Sequence, residues 1–483
     1  GSGTIQAQKI FWQKAIGGQG YDTGFRMIPV DHNCLIVAGT TNSTDDLGKG
    51  NHSSTNADLV VARVSAEGQV IWKTLIGGSK PEQFGDIQKT KDGGYLVIGT
   101  TESNDGDISD NHGKMDFLLA KLDRAGNLLW THCYGGVGND QGLAVIETEA
   151  GEFIIGGESG SKTGDMTYHI GALDAWIAKL DAGGNLLMEK TFGGRGNERV
   201  LKLMELKKDR YLAVCNTTSV NGDVKGQMGG KDAWLVCFSK NFDIVWQRNY
   251  GGSDFDEPHS IIRATNGDLV ITGSTFSDDN DLDMAEVHGM GESWIFRITD
   301  QGNFRWSKTY GGARSEGGNG IAQTPDGGFI MVGCSNSKDK IVTQNHGLYD
   351  GFVVRIDSMG RKIWWHNFGG ENFEYLYDVM PLEGGNYLAF GFAESIKGDL
   401  LPLQKSPGND FWMLRFGDPG DDNDNALHSL PYLEGTVKSA GTGTPINAEI
   451  IITDNTSLEN VKKMKNTRGT GSVSYTHLRA HET

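Results

Sequence analysis

Short apolar runs divided by glycine-bearing turns recur along this chain, and nowhere do the apolar positions fall at helical spacing. One stretch shows the order. Gly85 to Thr90 is short and mixed, Tyr95 to Thr101 (YLVIGTT) is apolar and β-prone, Phe117 to Leu122 (FLLAKL) alternates toward its end, and Asn127 to Tyr134 (NLLWTHCY) carries a tryptophan. Asp92-Gly93-Gly94 separates the first two runs and Asp123-Arg124-Ala125-Gly126 the last two. Glycine at such points supplies the positive φ that a hairpin turn needs. The pattern predicts a unit of four antiparallel strands.

The unit repeats. A Gly-Gly pair closes each copy, at Gly17, Gly77, Gly135, Gly193, Gly251, Gly311 and Gly369, with intervals of 60, 58, 58, 58, 60 and 58 residues. Five residues before each pair stand Trp12, Trp72, Trp130, Met188, Trp246, Trp306 and Trp364. Four strands cannot bury both of their faces alone, so the units must stack, as a solenoid or as a ring. The chain ends favour the ring. The last unit runs through Asp410 to Phe416 without a fourth strand, and Lys9 to Ile16 (KIFWQKAI) is a fourth strand without its first three. The expected fold is all-β: a seven-bladed β-propeller over residues 9–417, its last blade closed by the N-terminal strand.

The chain has 483 residues, 70 of them glycine and 10 proline, and a formal charge of −18. A strong acidic excess argues against nucleic acid or anionic lipid as the main partner, since both attract basic surfaces. It suits a protein that meets cations or basic partners. The five cysteines, Cys34, Cys133, Cys215, Cys237 and Cys334, contain no CxxC, so buried free thiols are expected. Cys215 and Cys237 could also face each other on neighbouring strands. No run of apolar residues is long enough to span a membrane. Residues 1–8 (GSGTIQAQ) look like the tail of a secretory signal peptide.

Seven acids, Asp22, Glu82, Asp140, Glu198, Asp256, Glu316 and Glu374, lie five positions after the first glycine of each pair. They lead into the first strand, the innermost in a propeller, so they could ring one mouth of the channel. Such a ring would suit a cation or a basic peptide. Alternatively each carboxylate accepts backbone N–H bonds and pins its own turn. Converging acids would also repel, raising some of their pKa values. A serine recurs after the second strand (Ser43, Ser103, Ser161, Ser219, Ser277, Ser337 and Ser395), followed in four units by Gly-Asp. The loop then ends on another acid: Asp58, Asp116, Asp174, Asp232, Glu292, Asp350 or Asp410.

Two loops concentrate oxygen ligands, Asp105, Asp107 and Asp110 in one and Asp279, Asp281 and Asp283 in the other. Ca²⁺ tolerates irregular oxygen-rich loops, so these are candidate calcium sites, with solvated turn carboxylates as the other reading. His52, His112, His169, His288 and His346 stand one to a loop. Zinc needs three or four converging ligands, so these histidines are expected to brace their loops by hydrogen bonds. No other cofactor is indicated, and no nucleophile–base pair, P-loop or dinucleotide fingerprint stands out.

The repeat text Asp123 to Trp130 (DRAGNLLW), Tyr134-Gly135-Gly136 and Ser103 to Asp116 (SNDGDISDNHGKMD) resembles tandem repeats of exported β-propellers from Bacteroidetes-type bacteria. The element D-x-x-G-x-x-x-W, as in Asp357 to Trp364, is also similar to the blade signature of quinoprotein dehydrogenases and outer-membrane-assembly propellers, but the vicinal cysteines of many quinoproteins are absent. Residues 418–432 form a polar linker. Leu433 to Asp454 (LEGTVKSAGTGTPINAEIIITD) resembles the start of a carboxypeptidase-regulatory-like β-sandwich, giving a partial domain over 433–471, and 472–483 reads as a non-native tail. The resemblance implies an exported monomer of the periplasm, outer membrane or cell surface. It would bind or scaffold a protein or glycan at a propeller face, without catalysis. The alternative is a propeller enzyme, either a quinoprotein-like oxidoreductase or a glycan-active one.

Overall fold

A computed structural model describes residues 9–31, 34–279, 290–339, 345–400 and 408–417, together with four short strands further along the chain. Residues 1–8 and the linker 418–432 lie outside the described residues.

Seven antiparallel sheets of four strands follow one another. The first comprises Asp22–Asp31, Cys34–Thr41, Asp58–Ser65 and Val70–Ile76, hydrogen-bonded in chain order. The first strands of successive blades pack on one another all the way round, which sets them about a central channel. The seventh sheet combines Glu374–Pro381, Asn386–Ala393 and Asp410–Gly417 with Lys9–Ile16. Ile16 lies opposite Phe411 and Lys9 opposite Gly417. Trp412 Nε1 donates to Gln13 Oε1 across this seam (3.1 Å), as Trp234 Nε1 donates to Gln247 Oε1 within the fourth blade (2.7 Å). The seam is thus built like an unbroken blade, and the all-β seven-bladed expectation holds.

Burial explains the sequence pattern. Tyr95–Thr101 and Asp116–Leu122 are buried along their whole length because each middle strand faces a neighbouring blade on both sides. Outer strands such as Leu128–Tyr134 are covered only in part. The repeated tryptophan lies under the next blade's last turn. A Cβ on Gly126, at φ +86°, would stand 2.5 Å from the Trp72 ring, so that turn needs glycine for room as well as for conformation.

Two details differ from the sequence reading. First strands begin at the acid itself, so Glu82–Lys89 replaces the expected start at Gly85. Cys215 pairs with Trp234 and Cys237 with Leu212, and the two thiols join different core clusters on opposite faces of their sheet. They therefore cannot be bridged, and all five cysteines are free and buried. Burial pushes the Cys237 thiol up to about 11 and that of Cys334 to about 12, which leaves little thiolate to react.

The second unit spans Ser429–Thr483. Its described strands are two short pairs, Lys438–Ser439 with Val473–Ser474 and Ala448–Ile451 with Lys463–Asn466. Val473–Ser474 falls in the stretch read as a non-native tail, so pairing extends into it.

Removing residues 1–16 should expose the edge of Asp410–Gly417. We expect Tm to fall by about 5 °C or more and unfolding to become concentration-dependent as freed edges pair between molecules. Calorimetry and sedimentation of the truncated chain check this, and an unchanged Tm would contradict ring closure.

Candidate binding site at the channel mouth

The seven leading acids are all buried, at most 3 % exposed. Each accepts the N–H of the second glycine of its pair, for example Gly18 to Asp22 (2.7 Å), Gly136 to Asp140 (2.9 Å), Gly194 to Glu198 (2.8 Å) and Gly370 to Glu374 (2.7 Å). Glu82, Asp256 and Glu316 do the same with Gly78, Gly252 and Gly312. The other oxygen of Glu82, Asp140, Glu198, Asp256 and Glu316 takes a hydroxyl of the same blade, as Thr101 to Glu82 and Thr217 to Glu198, both at 2.8 Å, and that of Glu374 takes the Ser395 N–H (2.9 Å). The recurring serine accepts the N–H two residues beyond the pair, from Gly20 to Ser43 through to Asn372 to Ser395.

These carboxylates turn into their own blades and offer no converging ring to a ligand. Burial raises the pKa of Asp22, Asp256 and Glu374, and lifts Glu82 to about 7. The neighbouring charges acting on them are Asp45, Asp254, Asp350 and Asp58. Desolvation, rather than repulsion around a ring, is therefore the dominant cause.

The first glycine of five pairs, Gly17, Gly77, Gly135, Gly311 and Gly369, lies between that acid and the loop-closing acid of the preceding blade, while Gly193 and Gly251 lie against the leading acid. A Cβ on Gly135 would stand 2.5 Å from Asp116 Oδ1 and 2.9 Å from Asp140 Oδ2, and one on Gly77 would press on Asp58 and Glu82 in the same way. The Gly-Asp dipeptides clamp the same glycine twice. Asp165 donates its N–H to Gly135 O (3.0 Å), and its Oδ2 accepts from Gly135 N (3.0 Å). The histidines brace the closing acids: His52 Nδ1 to Asp58 (2.6 Å), His112 to Asp116 (2.8 Å), His169 to Asp174 (2.9 Å) and His346 to Asp350 (2.9 Å). His288 lies outside the described residues.

The candidate calcium ligands serve the same turns. Asp105 Oδ1 accepts from Ser79 N (2.7 Å), Asp279 Oδ1 from Ser253 N (2.7 Å), and Asp107 Oδ2 from Gly77 N (3.3 Å). Asp110, at φ +69°, takes the Ser109 hydroxyl (3.2 Å). Asp281 and Asp283 lie outside the described residues. Among the described residues, no three His, Cys, Asp or Glu side chains come together as a metal site.

The channel itself is where the repeat breaks down. A bulge follows the third residue of every first strand, and bulges re-aim side chains. The residue after it is Arg26, Asp86, Ala144, Lys202, Ser260, Gly320 or Asp378 in turn. Arg26 Nε reaches Asp86 (3.1 Å) and its Nη1 reaches Asp378 (3.1 Å), while Lys202 from the fourth blade reaches Asp86 in the second (3.4 Å). Asp378 and Asp86 hold the Arg26 guanidinium above its ordinary pKa despite its burial.

One layer nearer the mouth, Arg199 forms a two-point pair with Glu158 (2.6 and 2.9 Å) and reaches Gln141 Oε1 (3.0 Å). Asn216 donates to Glu257 (2.8 Å), with Lys231 3.8 Å from the same carboxylate. His259 Nδ1 lies 3.0 Å from Gly318 O, and burial lowers its pKa, so it stays neutral. None of these residues was singled out from the sequence. The signal was present as a column, four residues after the leading acid, that changes from blade to blade.

No family model matches the chain, and no curated protein matches it. Among solved structures it is similar to the Neurospora crassa Pan2 WD40 domain (TM-score 0.45, 9% identity, covering 86% of this chain and 98% of that one). It is also similar to Kuenenia stuttgartiensis hydrazine synthase (0.43, 12%, 80% and 96%). A third likeness is to the quinohemoprotein alcohol dehydrogenase ADHIIG of Pseudomonas putida (0.41, 10%, 89% and 79%). The propeller assignment rests on the chain's own seven sheets.

Two predictions follow from the junctions. Glu82 binds its proton more tightly in the fold, at about 7, than at its ordinary 4.5. Its contribution to stability is complete below the lower value and is lost as pH rises through the upper one. The Tm of Glu82→Gln relative to wild type should therefore rise between about pH 5 and pH 7.5, and parallel curves would contradict this. Separately, Gly77→Ala should cost about 3 kcal/mol or more in a denaturant melt. Gly267→Ala, at φ +90° with nothing within 4 Å of a Cβ, should cost only the backbone strain of about 1–2 kcal/mol.

Proposed function

We propose that the chain is a binding propeller that holds a ligand at this mouth without turning it over. One observation carries the reading: side chains that repeat are spent on the blade junctions, whereas those that do not repeat gather in and above the channel. A binding site needs such individuality, and a purely structural ring does not. The charged groups of the channel are matched to one another, Arg26 with Asp86 and Asp378, Lys202 with Asp86, Arg199 with Glu158, and Lys231 with Glu257. That leaves no charged side chain among them poised for acid–base work, which favours binding over catalysis.

The same non-repeating column favours a second reading, a propeller enzyme of the quinoprotein-like or glycan-active kind, because an enzyme must also break the symmetry of its scaffold. We place the protein outside the cytoplasm, on the resemblance of its repeats to exported propellers.

The experiment is hydrogen exchange on the full chain during a screen of saccharides, peptides and quinones. A ligand that binds should protect the first strands, such as 199–204 and 375–379, and be recovered chemically unchanged after long incubation. Protection confined to outer strands would overturn the location. A released product would overturn binding without turnover.

A further inference from the structure

The ligand class can be read from the mouth's two unlike arcs, an inference that rests on the binding site just proposed. Blades three to five contribute planar polar groups, the Gln141 and Asn216 amides, the Arg199 guanidinium and the Glu158 and Glu257 carboxylates. Across the ring, blades six, seven and one contribute aromatic rings.

These rings form a continuous series. Phe373, at the rim and 37 % exposed, lies 6.0 Å from Tyr349, and Tyr349 lies 5.5 Å from Tyr375. Tyr375 neighbours Tyr377 (6.2 Å), which meets Phe25 in the channel (4.8 Å). The three rim contacts join rings inclined by only 18, 27 and 19°. Tyr349, Tyr375, Tyr377 and Phe25 are all half-buried, so each keeps some surface for a ligand.

We infer that this mouth takes a neutral oligosaccharide. A pyranose has a face of C–H bonds that lies flat on an aromatic ring, and hydroxyls around its edge that amides, carboxylates and guanidinium groups engage in pairs. An aromatic arc opposite an arc of planar polar groups presents both halves of that chemistry. Charge separates the candidates further. In a chain of net charge −18, four cations of the channel and mouth, Arg26, Arg199, Lys202 and Lys231, are paired with four anions, Asp86, Glu158, Glu257 and Asp378. A uronic-acid polymer or a basic peptide would have to displace these internal partners, whereas a neutral sugar does not. The Lys202–Asp86 bridge crosses the channel beneath, so the ligand lies over the mouth instead of threading through it.

Titration calorimetry of the full chain with cellohexaose, chitohexaose, mannohexaose, xylohexaose and hexagalacturonate tests this. At least one neutral hexamer should bind, and hexagalacturonate should not. Tyr375→Ala and Gln141→Ala should each weaken binding by about tenfold or more, whereas Val220→Ala, at a residue 75 % exposed on another loop, should leave it unchanged. Tyr375→Phe keeps the ring and should keep most of the affinity, which guards against a mere folding defect in the alanine variant. The inference is overturned if no neutral hexamer binds below about 10 mM, if the charged hexamer binds as well as the neutral ones, or if binding survives Tyr375→Ala. A peptide that protects the first strands in place of any saccharide would also overturn it, while leaving the mouth as the binding site.

Discussion

At five of the seven junctions a blade meets the next at a glycine held between two buried carboxylates, and the ring depends on that joint. The glycine has no side chain because the space a Cβ would need is filled by oxygen atoms of the leading acid and the closing acid. Two carboxylates so close would be costly to bury unless their lone pairs were used. The leading acid's are used by the second glycine's N–H and by hydroxyls of the second strand and following loop, and one oxygen of the closing acid takes a histidine from the preceding loop, whereas Asp58 Oδ1, Asp116 Oδ1 and Asp350 Oδ1 face the glycine without a hydrogen bond. The connection between blades is therefore fixed from both sides, by the blade it leaves and the blade it joins. The closing joint obeys the same rule, since Gly17 lies between Asp410 and Asp22 although these come from opposite ends of the chain.

This arrangement frees the channel. Junction groups set the pitch of the ring and the middle strands fill the space between blades, so the first strands have a face on which stability makes few demands. The bulge in every first strand directs two consecutive positions toward that face. There the seven blades diverge, into arginine, aspartate, lysine, histidine, asparagine and tyrosine. The Arg26–Asp86–Lys202 bridge spends some of this freedom on bracing distant blades against one another. In the layer above it, Arg199 and Glu257 keep about a third of their side chains exposed.

Periodicity made the fold legible. Seven Gly-Gly pairs, six tryptophans and two complementary half-blades at the ends specify a closed ring, because each is a local demand repeated at fixed spacing. The first strand's start at Glu82 was missed because a buried acid reads as a turn residue. The same acids were legible as special but not as structural or functional, since burial and hydrogen-bond partners do not appear in a sequence. The mouth was hidden for the opposite reason. Repetition draws the eye to what is shared, whereas Arg26, Asp86 and Lys202 become visible only as departures from their blade-mates. Cys215 and Cys237 illustrate a further limit: neighbouring strands are foreseeable, but a three-residue offset in register, which separates their faces, is not.

Net charge needs the same correction. An excess of acid over base suggests an acidic surface that attracts cations or basic partners. Among the described residues, however, eighteen Asp and Glu are buried and only four Lys and Arg. Most of the surplus therefore sits inside, at blade junctions and in the channel, where it meets backbone N–H groups, hydroxyls, histidines and paired cations. Burial raises the pKa of several of these acids, and lifts that of Glu82 to about 7. On the proposed reading, recognition falls to shape, aromatic faces and hydrogen bonds at the mouth.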